Sequence, residues 1–155
     1  MTAKLAQEQI RIRLIQRGDM DAIVFIDAQS FGKKRPEYYE QKVDLALDDR
    51  RHLVTSLVAE VGGKVVGFIM GEIYRGEFGI PDTVATIDTI GVDSKYQRNG
   101  IGQFLMEEFV TIARKAGVEV INTRVAWNDW DLLRFFDSSS FQLQQSKAIH
   151  LERRL

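Results

Sequence analysis

The sequence predicts a mixed α/β domain in which most strands are antiparallel. Two runs rich in Val, Leu and Ile are joined by Gly62-Gly63, and adjacent glycines supply the positive φ angles of a tight hairpin turn. Later, an apolar strand enters a turn containing Gly100 and Gly102 and continues into an amphipathic helix. Because such a strand–helix unit begins a β-α-β crossover, the two observations together predict a mixed sheet flanked by helices.

The first third of the chain predicts one strand and two helices. Residues 10–15 alternate apolar and basic side chains, which is typical of a half-buried strand. Asp19 is expected to cap a helix over Met20–Phe31, where apolar residues recur at helical spacing. A second helix is expected to begin at Pro36, because proline suits the first helical position.

The remaining segments complete an order of β-α-α-β-β-β-α-β-α-β-β, with about seven strands and about four helices. The helix after the glycine turn is expected to end near Gly117. A short helix is predicted over residues 129–137. The strands after the first are predicted at residues 52–61, 64–74, 83–92, 118–125, 141–145 and 148–151.

Length and composition indicate one ordinary domain over residues 1–155. The chain has 45% hydrophobic and 28% charged residues, a formal net charge of −1 and no cysteine. Disulfides, thiolate zinc sites and a cysteine nucleophile are therefore excluded, and the balanced charge gives no broad footprint for nucleic acid. No run approaches the ~18 apolar residues of a membrane span, and residues 1–9 lack an apolar leader. We therefore expect a cytoplasmic protein with no membrane and no nucleic-acid partner.

The turn at residues 97–102 is the strongest functional signal. Glycines at alternate positions let the backbone approach a ligand closely, and the first N–H groups of a helix have no intrahelical acceptor. Together with the helix dipole they can bind an anion such as pyrophosphate. The alternative is that Gly100 and Gly102 serve only a tight strand-to-helix connection.

The element order and the segment Gln97-Arg98-Asn99-Gly100-Ile101-Gly102 resemble the GNAT superfamily of N-acetyltransferases, whose turn reads Gln/Arg-x-x-Gly-x-Gly/Ala. Val92 and Tyr96 are also in register with the family pattern, and Ser94 stands where proline is usual. The resemblance extends over nearly the whole chain. It implies a GNAT-like fold whose sheet splays apart between strands four and five.

The resemblance implies acetyl-CoA as cosubstrate and no metal. The pantetheine arm would lie beside strand four through the backbone near Ile90 and Val92, with a bulge expected at Gly91. Asn128 would hydrogen-bond pantetheine or, alternatively, cap the following helix. The pyrophosphate would bind the backbone N–H groups of Gln97, Arg98, Asn99, Gly100, Ile101 and Gly102.

Asp88 is the candidate general base. A protonated alkylamine must lose a proton before it attacks a thioester. A carboxylate in the middle of an apolar strand is unexpected, because burying an unpaired ion is costly. The alternative is a structural ion pair. Phe136 stands where many family members carry a tyrosine general acid, and Ser138, Ser139, Tyr74 or water remain as substitutes.

Two functions are compatible with these residues, whereas an NAD-type dinucleotide-binding domain is disfavoured because no Gly-x-Gly-x-x-Gly follows an early strand. The first is acetyl transfer from the thioester to an amine, in a small molecule or a protein, by direct attack in a ternary complex. The second is a CoA-binding regulatory or sensory module with little turnover, which Phe136 motivates. In a GNAT-like fold, the aromatic residues Phe31, Tyr38, Tyr39 and Phe78 are expected to border the acceptor, which indicates a partly apolar amine. Trp127 and Trp130 are expected to serve either core packing or ligand contact. The acceptor's identity, and whether two copies pair through a sheet edge, stay open.

Overall fold

A computed structural model describes residues 5–48, 56–73, 83–144 and 151–155 of the chain. They belong to two compact units, Met1–Arg124 and Val125–Leu155. The second unit holds helix α4 (Trp130–Ser138). The first unit holds all the described strands and three α-helices: β1 (Ile10–Leu14), α1 (Met20–Phe31), α2 (Pro36–Asp48), β2 (Leu57–Val61), β3 (Lys64–Ile73), β4 (Val84–Val92), α3 (Ile101–Lys115) and β5 (Val120–Thr123).

The strands form one mixed sheet in the order β1-β2-β3-β4-β5. Neighbours are antiparallel as far as β4, whereas β4 and β5 are parallel, as a crossover through α3 requires. The β2–β3 hairpin turns at Gly62 and Gly63, whose φ angles are 58° and 78°. Positive φ at both positions explains why this turn carries two glycines, and the predicted mixed, mostly antiparallel sheet is confirmed.

Helices cover both faces of the sheet. A Cβ on Gly91 of β4 would lie 3.2 Å from Ile26 of α1 and 2.9 Å from Phe68 of β3. A Cβ on Gly67 would instead meet Ile101 of α3 at 3.0 Å. Because consecutive strand residues point to opposite faces, α1 and α3 lie on opposite sides of β3. This arrangement explains why residues 65–70 of β3 are buried without interruption.

Each face has its own apolar core. On the α1 side, Ile23, Tyr39 and Phe68 are fully buried. On the α3 side, Leu105 and Phe109 are fully buried, and Phe109 lies so close to Gly71 that a Cβ there would be 2.7 Å from its ring. The absence of a side chain at Gly71 is therefore what lets α3 approach the sheet.

The described residues form five strands rather than the predicted seven. Residues 141–144 were expected to begin a strand but do not, because the Phe141 N–H is donated to Phe136 O at 3.0 Å and the two rings pack 5.0 Å apart. Most of the last predicted strand, residues 148–150, lies outside the described part of the chain. The predicted number of α-helices agrees with the four that are described.

Asp19 precedes α1 as expected, but its side chain does not make the predicted capping hydrogen bond to the helix. Its carboxylate instead accepts two hydrogen bonds of 2.7 Å from the Arg13 guanidinium and one of 2.8 Å from the Gln16 N–H. Arg13 also binds Glu60 of β2 at 2.7 Å. The carboxylate therefore binds the cationic Arg13 of β1 rather than the N–H groups at the start of α1, because charge-assisted hydrogen bonds are stronger.

Within the described ranges, none of the helices has the length and apolar character needed to span a membrane.

Candidate functional site

The carboxyl end of β4 extends beyond its parallel neighbour. Its pairing with β5 covers Val84–Ile87, whereas its pairing with β3 continues to Val92. Residues 88–92 therefore run past the β5 ladder, and Ile90, Gly91 and Val92 are only half-buried. This is the opening expected between strands four and five, and an extended ligand can hydrogen-bond to such a strand as an added strand does.

A bulge interrupts β4 at Asp88 and not, as predicted, at Gly91. Met70 pairs with Thr89 and Gly71 with Ile87, so Asp88 is the extra residue of the β4 strand. Gly91 pairs regularly with Phe68, and its missing side chain makes room for Phe68 and Ile26. The glycine is therefore required for packing, whereas the bulge re-aims the Asp88 side chain.

The re-aimed carboxylate pairs with Lys42 of α2. The Lys42 Nζ lies 2.9 Å from Asp88 Oδ2 in a half-exposed setting, and the side chain of the next residue, Thr89, contacts Tyr39 of the same helix at 3.4 Å. Burial lowers the pKa of Lys42, but the hydrogen bond to Asp88 and its negative charge raise it by more, so the net shift is upward. Lys42 is therefore a cation at neutral pH, and the structural ion pair considered for Asp88 is present.

Aromatic rings and cations lie beside the Lys42–Asp88 pair. The Arg35 guanidinium lies 3.7 Å from the Phe31 ring centroid and 4.5 Å from that of Tyr38, and both rings are partly exposed. Arg35 is held by a bidentate ion pair with Asp27, at 2.9 and 2.7 Å. We call Phe31, Arg35, Tyr38, Lys42 and Asp88 the α1–α2 surface. Of the aromatics expected at an acceptor pocket, Tyr39 is instead core, and Phe78 lies outside the described residues.

The turn before α3 combines two residues of positive φ. Arg98 has a φ of 66° and Gly100 a φ of 78°. The first hydrogen bond of α3 is donated by Phe104 to Gly100 O, so the N–H groups of Ile101 and Gly102 precede it. Such N–H groups carry the positive end of the helix dipole. Backbone that alternates in this way has the geometry of a concave anion-binding nest. The predicted binding of an anion at this turn stays a prediction.

Side chains fix this turn from within. Asn99 Nδ2 donates to Tyr96 O at 2.9 Å and to Gln97 O at 3.2 Å, and Gln97 Nε2 donates to Val92 O at 3.3 Å. The Arg98 side chain is exposed. The Asn99 amide is thus engaged by the protein backbone, which leaves ligand contact in this turn to main-chain N–H groups and exposed side chains.

Gln29 of α1 joins that helix to the end of β4, a link that the sequence did not predict. Its Oε1 accepts from the Ser94 N–H at 2.8 Å, and its Nε2 donates to Asp93 Oδ1 at 3.3 Å. Asp93 is 2% exposed and also accepts from the Lys95 N–H at 3.0 Å. Gln29 and Lys42 occupy ordinary helix positions, so no motif could have identified either side chain.

The second unit contains the remaining predicted residues. Asn128 is exposed in a turn, and Asp129, whose carboxylate accepts from the Leu132 N–H at 3.2 Å, caps α4 in its place. Trp127 and Trp130 are 80% and 61% exposed, so core packing is wrong for both.

The replacements considered for a general acid lie in the same unit, except Tyr74, which is outside the described residues. Phe136 is buried between the rings of Phe135 and Phe141. The hydroxyls of Ser138 and Ser139 both donate to Phe135 O, at 2.7 and 2.9 Å. These bonds occupy both hydroxyls at the end of α4.

Comparison with known proteins identifies the family. The model described as "Acetyltransferase (GNAT) family" matches residues 20–137. The chain belongs to this family. No curated protein sequence matches the chain significantly.

Solved GNAT structures share the fold at low sequence identity. Aminoglycoside N-acetyltransferase AAC(6')-Iy in complex with CoA has a TM-score of 0.75 and 12% identity, covering 94% of this chain and 95% of that one. An aminoglycoside acetyltransferase from an uncultured soil metagenomic sample, in complex with trehalose, has a TM-score of 0.71 and 18% identity, covering 96% and 98%. The ribosomal-protein-alanine N-acetyltransferase of Brucella melitensis biovar Abortus has a TM-score of 0.69 and 17% identity, covering 92% and 99%. At these identities the likeness shows the fold and not the substrate.

Proposed function

We propose that this GNAT protein is an acetyl-CoA-dependent N-acetyltransferase that moves the acetyl group to an amine by direct attack in a ternary complex. The observation that carries the proposal is the continuous path from the open end of β4, at residues 88–92, into a turn with positive φ at Arg98 and Gly100. An extended strand edge followed by a phosphate-binding turn suits a ligand with a long polar arm and a pyrophosphate.

The residues fit this ligand. The backbone N–H groups of residues 97–102 would hold the pyrophosphate, and the main chain of Ile90, Gly91 and Val92 would bind the pantetheine arm. A backbone N–H near Val92, where β4 opens, would polarise the acetyl carbonyl. The Asp93 N–H is not available for this role because it is donated to Val66 O at 2.8 Å. Asn128 remains proposed as a further pantetheine contact.

The chemistry divides between the bound thioester and the protein. Acetyl-CoA supplies an activated acetyl group whose C–S bond breaks as the amine nitrogen forms the new C–N bond, releasing CoA as a thiolate that takes up a proton. Asp88 would accept the amine proton directly or through water. Because Lys42 already lies against Asp88, an incoming ammonium would compete with the Lys42 Nζ for the same carboxylate.

The α1–α2 surface is proposed to receive the acceptor. It offers a carboxylate for the amine and partly exposed aromatic rings for an apolar portion. The CoA-binding module without turnover remains the second candidate, favoured by Phe136 in the general-acid position. A thiol of pKa ~8.5 leaves tolerably as thiolate, so the missing acid is expected to slow transfer rather than abolish it.

Thiol release from acetyl-CoA in the presence of a panel of amines tests the proposal. The chain has no cysteine, so a thiol reagent has no protein background. We expect CoA, but not NAD, to raise the melting temperature, because a ligand of the native state stabilises it. We also expect release of thiol that depends on both enzyme and amine. Binding without transfer to any amine would favour the second candidate, and no stabilisation by CoA would contradict both.

A further inference from the structure

Leu5, in the described segment before β1 (residues 5–9), contacts the turn at residues 97–102, the proposed phosphate site, although it is far away in sequence. The Leu5 N–H donates to Asn99 Oδ1 at 2.8 Å. Asn99 thereby uses its carbonyl oxygen for the Leu5 N–H and its amide nitrogen for Tyr96 O and Gln97 O. One side chain therefore joins two backbone segments through three hydrogen bonds.

Residues 5–9 are themselves anchored to the sheet. Gln9 donates its N–H to Ala6 O at 2.9 Å, and its Oε1 accepts from the Ala6 N–H at 2.8 Å, which closes a 3₁₀ turn over Gln7–Gln9. β1 begins at the next residue, Ile10, and pairs with β2. The hydrogen bond from Leu5 therefore connects the turn to the sheet by a route separate from β4 and α3.

The turn needs such support because part of it is strained. A residue other than glycine at positive φ, here Arg98, costs on the order of 1–2 kcal/mol and persists when surrounding contacts hold it. The amide of Asn99 binds the carbonyls of Tyr96 and Gln97, which precede the strained residue.

We propose that Asn99 is a positioning residue which, together with the Leu5 N–H, holds the turn in its anion-binding shape and thereby sets the affinity for phosphate-bearing ligands. The inference rests on the proposed CoA site. Asn99 contributes order and not a ligand contact from its side chain, and the segment before β1 becomes part of the binding site through this brace.

Substitutions separate the two ends of the brace. Asn99→Ala removes all three side-chain hydrogen bonds. Leu5→Pro removes the N–H of residue 5, since proline has none, and also the leucine side chain. Leu5→Ala, which keeps that N–H, is the reference against which the proline variant is compared. Asn99→Asp keeps an oxygen for Leu5 but loses the donor to Tyr96 and Gln97.

Calorimetric titration with two probes gives the first readout: CoA, which carries the phosphates, and pantetheine, which has none. We expect Asn99→Ala to weaken CoA binding about tenfold and Leu5→Pro to weaken it about three- to tenfold relative to Leu5→Ala. Pantetheine affinity should change less than twofold in either variant. Equal losses for both probes, or none for CoA, would overturn the inference.

Amide hydrogen exchange of the ligand-free protein gives the second readout. Asn99→Ala should speed exchange at Leu5 and at Tyr96 and Phe104, the hydrogen-bonded amides that flank the turn, whereas Asn99→Asp should speed it at Tyr96 and Phe104 while Leu5 stays protected. Unchanged exchange in Asn99→Ala would overturn the brace whatever the protein binds. If wild-type protein binds no CoA, the proposed function fails and the affinity part of the inference falls with it, while exchange still decides whether the brace exists.

Discussion

At the scale of single residues, the turn at residues 97–102, proposed to bind phosphate, includes Arg98 at a positive φ. Arg98 has a φ of 66°, which glycine would adopt more easily. Either the arginine side chain has a role that offsets this strain, or only the backbone conformation matters at this position. The two possibilities differ in what removal of the side chain does.

Substitution of Arg98 separates these roles. Arg98→Gly should raise the free energy of unfolding by about 1 kcal/mol because it relieves the positive φ, whereas Arg98→Ala should give no such gain. If only the backbone binds phosphate, both variants keep their CoA affinity. Denaturant unfolding and CoA titration check this, and a loss of stability in Arg98→Gly would contradict the strain.

Asp88 forms an ion pair with Lys42 and is also the proposed general base, and its position is compatible with both roles. Asp88→Asn removes the base and the pair, while Lys42→Met removes the pair and keeps the carboxylate. A defect due to the ion pair therefore appears in both variants, and a defect due to the base appears only in the first.

We expect Asp88→Asn to lower kcat/KM at neutral pH by about 100- to 10,000-fold, the range for a lost general base. The deficit should shrink as the pH rises toward the acceptor's pKa of ~10.4, because a free amine needs no base. Steady-state thiol release between pH 7 and pH 10 measures it. Equal rates for Asp88→Asn and Lys42→Met at every pH would remove Asp88 from the mechanism.

At the scale of elements, the site depends on how closely α3 packs on the sheet, since the turn is the start of that helix. A Cβ at Gly71 would lie 2.5 Å from Thr86 O and 2.7 Å from the Phe109 ring. The first contact is with backbone of β4, which cannot move without disturbing the sheet.

Gly71→Ala should therefore lower the free energy of unfolding by about 1–3 kcal/mol, as overpacking does. Gly18→Ala is the matched control, because a Cβ there meets nothing within 4 Å and the change should be close to neutral. Urea unfolding of both variants checks the difference. Equal stability of the two variants would show that α3 shifts at little cost.

At the scale of the whole molecule, the response to acid depends on the cluster of Arg13, Asp19 and Glu60, which links β1, β2 and the start of α1. Burial raises the pKa of Asp19, but the Arg13 guanidinium and the Gln16 N–H lower it by more, so the net shift is downward. Asp19 is only 6% exposed, which limits screening by solvent.

A lowered pKa in the folded state contributes stability above the unfolded pKa of ~3.9 and loses it as the pH falls through the folded value. Asp19→Asn should cost about 1.5–3 kcal/mol at pH 7, and its difference from wild type should narrow below about pH 4. Asp131→Asn, at a side chain that is 99% exposed, should differ little from wild type at any pH. Unfolding free energies measured from pH 7 to pH 3 test this, and a constant difference for Asp19→Asn would contradict it.

The sequence by itself determined the features that depend on local spacing. The hairpin at Gly62-Gly63, the beginning of α2 at Pro36 and the turn before α3 are each governed by neighbouring residues, because backbone conformation at glycine and proline is a local property. The same local pattern carried the resemblance to the GNAT family.

Only the tertiary structure decided which side chains meet. Asp88 and not Gly91 is the bulged residue, because the register of β4 is set by β3 and by the packing of Phe68 and Ile26 around Gly91. The Asp19 carboxylate binds Arg13 and makes no capping hydrogen bond to α1, and Asn99 accepts a hydrogen bond from Leu5, 94 residues away in sequence. The residues in these contacts are not related by helical or strand spacing in the sequence. They come within contact distance only when the chain has folded, so local patterns cannot predict them.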